Sequence, residues 1–186
     1  MQKIPTMFVR DESQHGHPVT NQIKPECQWV LDGAGVATAK FDGTNVKIEA
    51  RQLLKRQKPA SGDYDDASYI PCERANPADK WAFEAFDALT EQADGIYELC
   101  GPKVQGNPHR RESHILIPVV PPGPVVKGID VRPADLSFDG LRHWLRNSEG
   151  EGIVFHHPDG RLAKIKRRDF GLEWPIKPAP AGTETP

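Results

Sequence analysis

The sequence predicts an α+β domain built from antiparallel sheets with a few flanking helices. Apolar and polar residues alternate in the runs around Lys40, Glu98, Glu151 and Lys164, which is the pattern of half-buried strands. Two other stretches instead place their apolar residues at helical spacing. Glycine-containing turns connect several of the strand-like runs, as expected for antiparallel sheets with short connections.

The first third of the chain is predicted to be mainly strands and turns. Lys3 to Arg10 has the composition of an edge strand, and Asp11 to Pro25 is polar enough to be a loop. Cys27 to Leu31 is apolar and is interpreted as another strand. After a glycine turn, three further strands are predicted over Val36 to Lys40, Thr44 to Ala50 and the basic return strand Arg51 to Lys58.

The remainder is predicted to combine two helices with further strands. Asn76 can cap a helix that has Pro77 in its first turn, and its apolar residues up to Leu89 form one face. A second helix is expected over Ser137 to Asn147. The other predicted elements are a mobile loop over Pro59 to Tyr69, strands over 96–99, 114–120, 151–157 and 161–166, a polar loop over 101–111 and a disordered tail over 177–186.

Length and composition indicate one domain over residues 1–176 followed by that tail. A net charge of -2 and a pI of about 6.4 exclude a global positive field, so nucleic-acid contacts would need local basic clusters. Three cysteines without metal-ligand spacing favour a reducing compartment. Since there is no signal peptide and no membrane-spanning run, we expect a cytoplasmic monomer without membrane contacts.

The stretch Lys40-Phe41-Asp42-Gly43 carries the most specific chemistry. A lysine amine becomes a nucleophile when an apolar or cation-rich setting favours its deprotonated form. Asp42 could orient the amine or act through a metal, and Gly43 lets the backbone come close to a ligand. Taken alone, the same residues are also a common turn into a strand.

Basic residues are grouped at three other places. Lys164 and Lys166 are two residues apart on a predicted strand, so both side chains can reach one phosphate group. The return strand over 51–58 and the polar loop over 101–111 are also basic. Either could bind a nucleic-acid strand or be a solvated surface.

Four segments then follow one another in a fixed order. They are Lys40-Phe41-Asp42-Gly43, Tyr97-Glu98-Leu99, Glu151-Gly152-Ile153-Val154 and Lys164-Ile165-Lys166. This ordered set resembles the covalent nucleotidyltransferase superfamily of ATP-dependent DNA and RNA ligases and mRNA capping enzymes, and the resemblance extends from about Ile4 to Trp174. It implies the ATP-grasp-like, antiparallel-sheet fold of that superfamily, with the nucleotide in the cleft between sheets.

The resemblance implies roles for individual residues. Four would be catalytic, with the first as nucleophile: Lys40, Asp42, Lys164 and Lys166. Nucleotide binding would involve the three lysines of this set together with Ala39, Asn45, Arg56, Glu98 and Glu151. Arg51 is the alternative to Arg56 on the return strand.

The resemblance also implies a metal and a nucleic-acid partner. Glu98 and Glu151 would hold Mg²⁺ or Mn²⁺, for which carboxylate oxygens are suitable ligands. RNA with 5'-phosphate and 3'-hydroxyl ends would be the partner. The residues expected to contact it are Lys55, Arg56, Lys103, Arg110 and Arg111.

The function implied in this way is that of an ATP-dependent RNA ligase in RNA repair. Lys40 would take AMP from ATP, the AMP would pass to an RNA 5'-phosphate to give an RNA-adenylate, and a 3'-hydroxyl would displace it. Thr44-Asn45 favours the RNA ligases, because DNA ligases and capping enzymes usually have an arginine two residues after the glycine. The chain ends soon after Lys166, so we expect the nucleotidyltransferase domain without an OB-fold domain.

Several different interpretations stay open on the sequence alone. A DNA nick ligase or an RNA-capping guanylyltransferase would use the same lysine chemistry, and a non-catalytic RNA-end-binding module could keep the fold. An unrelated α+β domain could match the motifs by chance. Two roles have no assigned residue. The adenine has no aromatic partner in His114 to Pro118, and the candidates for orienting pyrophosphate are Lys3, Arg10 and Lys103.

Overall fold

The computed structural model describes residues 3–57, 68–119 and 131–176. Three helices lie in these ranges: Gln28–Leu31 (α1), Lys80–Asp87 (α2) and Phe138–Asn147 (α3). Ten strands lie there too: Phe8–Arg10 (β1), Val19–Ile23 (β2), Val36–Lys40 (β3), Thr44–Glu49 (β4), Gln52–Arg56 (β5), Tyr69–Pro71 (β6), Gly95–Cys100 (β7), Ile115–Pro118 (β8), Gly152–His156 (β9) and Leu162–Lys166 (β10).

The strands form separate antiparallel sheets. A five-stranded sheet has the order β6-β5-β4-β7-β8, and a three-stranded sheet has the order β10-β9-β3. β1 and β2 pair with each other. The expectation of an α+β domain with antiparallel sheets is confirmed. The turn between β3 and β4, over residues 41–43, leads from the three-stranded sheet directly into the five-stranded sheet.

Each of the two larger sheets covers its own hydrophobic core. Ile153 and Ile165 of the three-stranded sheet pack with Leu141 and Leu145 of α3, and all four side chains are fully buried. Val46, Ile48 and Leu99 of the five-stranded sheet pack with Ala85 and Phe86 of α2. Burial of these apolar surfaces is the main stabilising contribution and sets the two sheets as separate layers.

The N-terminal segment covers the free edge of β10. Thr6 forms a parallel bridge with Lys164, the Met7 N–H donates to the Lys164 carbonyl at 2.9 Å, and the Lys164 N–H donates to the Pro5 carbonyl at 2.9 Å. The chain then enters β1. The backbone of Lys164 is therefore held on both sides, by β9 and by the N-terminal segment.

Two expectations for residues 11–31 are wrong. Cys27 to Leu31 was expected to be a strand, but Cys27 ends a 3-10 turn over Pro25–Cys27 and the following residues form α1. A short apolar run fits a buried helical turn as well as a strand. Trp29 and Val30 are buried by that turn. The stretch Asp11 to Pro25, expected as a loop, contains β2, which is formed by its pairing with β1.

Both predicted longer helices are confirmed, and so is the Asn76 cap of the first. The Asn76 side chain accepts a hydrogen bond from the Ala78 N–H at 3.0 Å, and a 3-10 turn over Pro77–Asp79 leads into α2. The Ser137 hydroxyl accepts from the Gly140 N–H at 3.1 Å at the start of α3.

Several expected segments fall outside the described residues. These are the loop from Pro59 up to residue 67, the end of the strand at Val120, the proline turn at 121–124 and the tail at 177–186. In the ranges that the structure does describe, no helix is both long enough and apolar enough to span a bilayer.

Candidate active site

Lys40 lies at the end of β3 and forms an ion pair inside the fold. Its Nζ is 2.7 Å from Glu151 Oε2 and 3.0 Å from the Phe41 carbonyl oxygen. Glu151 precedes β9, whose first residue Gly152 is the register partner of both Lys40 and Lys166. A Cβ at Gly152 would be 2.3 Å from the Ile165 carbonyl oxygen, so only glycine allows this close approach of the strands.

A second carboxylate, that of Glu98, reaches the same turn from the five-stranded sheet. Glu98 Oε1 accepts a hydrogen bond from the Gly43 N–H at 3.1 Å. A Cβ at Gly43 would be 2.2 Å from the Leu99 carbonyl oxygen, so the turn requires glycine here. Burial raises the pKa of the Glu98 and Glu151 carboxyls, and the nearby Lys40 cation opposes that shift in both.

Lys164 supplies a further cation on β10. Burial is the largest cause that lowers its pKa, to about 8, and repulsion from Lys40 and Lys166 acts in the same direction. Lys164 therefore loses its proton far more readily than an ordinary surface lysine.

Lys40, Glu98 and Lys164 line one cleft, which we call the nucleotide cleft after the ligand that the sequence motifs predict. It is bounded by residues of both larger sheets and of the N-terminal segment: Lys3, Ile4, Thr38, Ala39, Lys40, Phe41, Asn45, Arg56, Glu98, Ile117, Pro118, Val119, Val154 and Lys164. The residues expected to bind nucleotide that line this cleft are Ala39, Lys40, Asn45, Arg56, Glu98 and Lys164. Glu151 lies beside them through its ion pair with Lys40.

Asp42 has contacts that its position in the sequence does not predict. Its Oδ2 accepts a hydrogen bond from the Trp174 indole N–H at 2.9 Å, and its backbone N–H donates to His109 Nε2 at 2.7 Å. The rings of Phe41, His109 and Trp174 lie against one another, with centroids 5.1 and 5.3 Å apart. Burial lowers the pKa of His109, which favours the neutral ring that can accept this hydrogen bond.

The turn over residues 41–43 is thus held by three separate parts of the chain. Glu98 comes from β7, His109 from the loop after it, and Trp174 from the segment after β10. Sequence reasoning misses His109 and Trp174 because no local pattern connects them to Asp42.

The C-terminal part of the chain matches a known protein family. A sequence profile described as RNA ligase 1 matches residues 74–183, which is more than half of the chain. The chain belongs to the RNA ligase 1 family. The matched range contains Glu98, Glu151, Lys164 and Lys166 and begins after Lys40.

Individual members of the RNA ligase 1 family are also similar to the chain. RNA ligase 1 of Danio rerio is 39% identical over 93 residues, which is 47% of this chain and 28% of the relative. RNA ligase 1 of Pongo abelii is 35% identical over 94 residues, again 47% of this chain and 28% of the relative. RNA ligase 1 of Mus musculus is 27% identical over 175 residues, 89% of this chain and 46% of the relative.

The chain therefore spans less than half the length of each of these RNA ligase 1 proteins. Because the match to the mouse protein covers 89% of the chain, it includes Lys40, Glu98 and Glu151 whichever residue is its first.

The residues expected to contact RNA are divided among several surfaces. Lys55 points away from Arg56 on β5 and forms an ion pair with the buried Asp79 at 2.8 Å. Lys103 is exposed on the loop after β7. Arg110 and Arg111 line a second cavity together with His109, Glu149 and Trp174.

Arg51 and His114 lie away from the nucleotide cleft. Arg51, the alternative to Arg56, lies in the tight turn between β4 and β5 at a φ of 63° and does not line the cleft. His114 stacks on Trp81 at a centroid distance of 4.7 Å and does not line it either. The apolar walls available to a base are those of Phe41, Ile117 and Val154.

No preformed metal site is found among the described residues, since they contain no group of three or more His, Cys, Asp or Glu side chains suitable for one ion. Glu151 is close enough to Glu98 to raise the pKa of the Glu98 carboxyl further, and Lys40 lies near both carboxylates. Mg²⁺ is commonly held by one or two carboxylates together with substrate phosphates. The two glutamates fit an ion that arrives with a nucleotide.

Proposed function

We propose that this chain is the adenylating part of an ATP-dependent RNA ligase with the nucleotidyltransferase fold. The observation that carries the proposal is the convergence on Lys40 of Glu98, Glu151 and Lys164, which come from three other places in two sheets. Membership in the RNA ligase 1 family supports the choice of RNA ligation. A lysine that can act as a nucleophile, two acidic side chains and a cation that can bind a phosphate are thereby brought close together.

The nucleotide cleft supplies both apolar and polar contacts. Phe41, Ile117 and Val154 form apolar walls for the base. Asn45 and Arg56 lie on the five-stranded sheet beside Glu98, where they can bind ribose hydroxyls or phosphate oxygens. With the base between these walls, the α-phosphate would lie next to Lys40 and Lys164.

In the first step, the deprotonated Lys40 amine attacks the α-phosphorus of ATP. The N–P bond forms, the bond from the α-phosphorus to the bridging oxygen breaks, and pyrophosphate leaves with the electron pair. Glu151, at 2.7 Å from Nζ, is placed to take the proton that the ammonium must lose. Protonated Lys164 stabilises the negative charge that develops on the phosphate oxygens.

Glu98 and Glu151 would hold Mg²⁺ or Mn²⁺ together with the nucleotide. Such an ion supplies Lewis-acid stabilisation of the phosphate oxygens. The raised pKa values of both carboxyls reflect burial, and a bound cation would favour their charged forms.

The remaining steps transfer AMP to RNA and seal it. An oxygen of the RNA 5'-phosphate attacks the phosphorus of lysyl-AMP, which gives an RNA-adenylate and frees Lys40. A 3'-hydroxyl then attacks the 5'-phosphate, and AMP leaves. Arg110 and Arg111, which line the cavity beside Trp174, are the candidates for binding the acceptor strand.

Intact mass after incubation with ATP and Mg²⁺ tests the first step. We expect the wild type to gain one AMP moiety, which added pyrophosphate removes, and Lys40→Arg to gain none. Lys80→Arg, at an exposed lysine on α2, is the matched control and should label normally. A folded wild-type protein that takes no nucleotide would contradict the proposal and favour a non-catalytic RNA-end-binding module.

A second assay identifies the nucleotide and the acceptor. Labelling with GTP instead of ATP would indicate an RNA-capping guanylyltransferase. Transfer of AMP to nicked DNA in preference to single-stranded 5'-phosphorylated RNA would indicate a DNA nick ligase.

A further inference from the structure

Tyr69 lies next to the nucleotide cleft without lining it. The sequence places this residue at the end of an expected loop, whereas in the structure it begins β6, an edge strand of the five-stranded sheet. Its register partner is Arg56, which does line the cleft. The Tyr69 side chain is half-buried, and the Lys47 Nζ lies 5.9 Å from the centre of its ring. Tyr69 is therefore an ordered part of the sheet beside a residue that faces the cleft.

The Tyr69 hydroxyl binds a side chain that lines the cleft. It donates a hydrogen bond to Oδ1 of Asn45, which lies on β4, two strands away in the same sheet. A tyrosine hydroxyl has one hydrogen, so this bond uses its whole capacity as a donor. Burial raises the pKa of Tyr69, so the hydroxyl keeps that hydrogen at neutral pH.

Asn45 is also held by a neighbour on its other side. It is the register partner of Glu98 on β7, and side chains directly opposite each other in an antiparallel pair lie on one face of the sheet. Burial raises the pKa of the Glu98 carboxyl, and the Lys40 cation together with hydrogen bonds from the Gly43 N–H and the Asn45 side chain opposes that shift. Because a carboxylate only accepts, the Asn45 donor in this contact is its Nδ2.

These two contacts define the orientation of the Asn45 amide. A half-turn about the last torsion of an asparagine exchanges its oxygen and its nitrogen. The observed orientation gives Tyr69 an acceptor and Glu98 a donor. The reverse orientation would set Oδ1 against the Glu98 carboxylate, and two acceptors repel each other. The amide is thus fixed before a ligand arrives, and its nitrogen keeps one N–H for that ligand.

We propose that Tyr69 is a positioning residue for the nucleotide, because its hydroxyl holds the Asn45 amide in the orientation in which Asn45 binds ATP. The inference rests on the proposed function, since it takes the nucleotide to lie in the cleft that Asn45 lines. Through Asn45, Tyr69 also supports Glu98, whose Oε1 accepts from the Gly43 N–H at 3.1 Å in the turn after Lys40. A chain of hydrogen bonds therefore connects the edge strand β6 with that turn.

The rate of lysyl-AMP formation over a range of ATP concentrations tests this role. Tyr69→Phe removes only the hydroxyl and keeps the ring beside Lys47. An uncharged hydrogen bond changes an equilibrium about two- to tenfold, so the half-saturating ATP concentration should rise by about that factor. The rate at saturating ATP should change less, because Asn45 would bind the nucleotide alike before and during the attack.

Tyr97→Phe is the matched control. The Tyr97 hydroxyl donates to the Ala93 carbonyl at 2.8 Å, and Tyr97 is buried in the core beneath α2 without lining the cleft. We expect Tyr97→Phe to have the half-saturating ATP concentration of the wild type. An unchanged half-saturating concentration in Tyr69→Phe would overturn the inference.

A double-mutant cycle separates positioning from a general structural role. Asn45→Ala removes the amide that Tyr69 holds. Adding Tyr69→Phe to Asn45→Ala should therefore leave the half-saturating ATP concentration where Asn45→Ala alone puts it. If the factors of the two single variants multiply instead, Tyr69 acts independently of Asn45 and the inference is overturned.

Hydrogen exchange of the Asn45 side-chain amide, followed by NMR on the nucleotide-free protein, gives a result that does not require activity. The signals are assigned by their loss in Asn45→Ala. Exchange with water should be about two- to tenfold faster in Tyr69→Phe than in wild type, because Glu98 alone then holds the amide, and it should be unchanged in Tyr97→Phe. Equal exchange in wild type and Tyr69→Phe would overturn the inference. A wild type that takes no AMP would contradict the proposed function, whereas faster exchange in Tyr69→Phe would still support the hold of Tyr69 on Asn45.

Discussion

The indole N–H of Trp174 donates a hydrogen bond to Asp42 Oδ2 at 2.9 Å, although the two residues are 132 positions apart. Asp42 follows Lys40 in the turn that joins the two larger sheets. Because Trp174 is buried, its indole fixes this carboxylate from the far end of the described chain.

Trp174→Phe keeps a ring in place and removes only the N–H donor. A hydrogen bond to a charged group contributes roughly 1.5–3 kcal/mol, so we expect lysyl-AMP formation at saturating ATP to slow by about ten- to a hundredfold. The measurement is the rate of the mass shift. Trp81→Phe removes an indole that stacks on His114, away from the turn, and should leave that rate unchanged. Equal slowing in both variants would show that the effect is not specific to Asp42.

Gly43→Ala tests the close approach in the same turn. Its Cβ would be 2.2 Å from the Leu99 carbonyl oxygen, a backbone atom that cannot move without disturbing β7. We expect a loss of about 1–3 kcal/mol in the free energy of unfolding by urea, together with loss of AMP labelling. Gly150→Ala is the matched control, since no heavy atom lies within 4 Å of its Cβ. Wild-type stability of Gly43→Ala would refute the geometry of the turn.

Lys40→Met should leave the buried Glu151 carboxylate without its cation. Glu151 is 9% exposed as a side chain, so the unpaired charge is costly and the pKa of this carboxyl should rise further. We expect the double variant Lys40→Met, Glu151→Gln to have a larger free energy of unfolding than Lys40→Met alone. Urea denaturation at neutral pH measures both. A less stable double variant would mean that Glu151 is stabilised by other contacts.

Lys164 should make stability depend on pH in the alkaline range. Its folded-state pKa of about 8 lies below the ordinary value of 10.5, so between these values the unfolded chain binds more protons. The free energy of unfolding contributed by this group therefore rises with pH over that window, and its cost is fully present below pH 8. Lys164→Met should lack this contribution.

The comparison of wild type with Lys164→Met isolates the effect. Burial raises the pKa of the Cys72 and Cys100 thiols, which makes stability fall at alkaline pH, but both proteins contain these thiols. In urea titrations from pH 7 to pH 10, the wild type should thus gain stability relative to Lys164→Met above about pH 8. Parallel curves would show that Lys164 is not desolvated.

The sequence predicts those elements whose causes are local. Alternation of apolar and polar residues predicts β3, β4 and β10, and the Asn76 cap predicts the start of the helical region at α2. The strand prediction for Cys27 to Leu31 is wrong because a short apolar run has no periodicity that distinguishes a helical turn from a strand.

The candidate site also has residues that the sequence predicts and contacts that it does not predict. Ordered motifs predict that Lys40, Glu98 and Lys164 matter, and the structure places all three on one cleft. The contacts of Asp42 with Trp174 and His109 are long-range, so spacing in the sequence carries no signal for them. The cavity lined by Lys3, Arg10 and Lys166 likewise depends on the pairing of the N-terminal segment with β10.

The position of residues 41–43 between the two larger sheets has a mechanical consequence. Lys40 and Glu151 belong to the three-stranded half, whereas Glu98 belongs to the five-stranded half. If the halves were to swing apart about this short connection, the ion pair of Lys40 would survive and its distance to Glu98 would grow. Closure of the halves around a ligand would thus bring Glu98 back to Lys40, whereas Glu151 would remain beside it throughout.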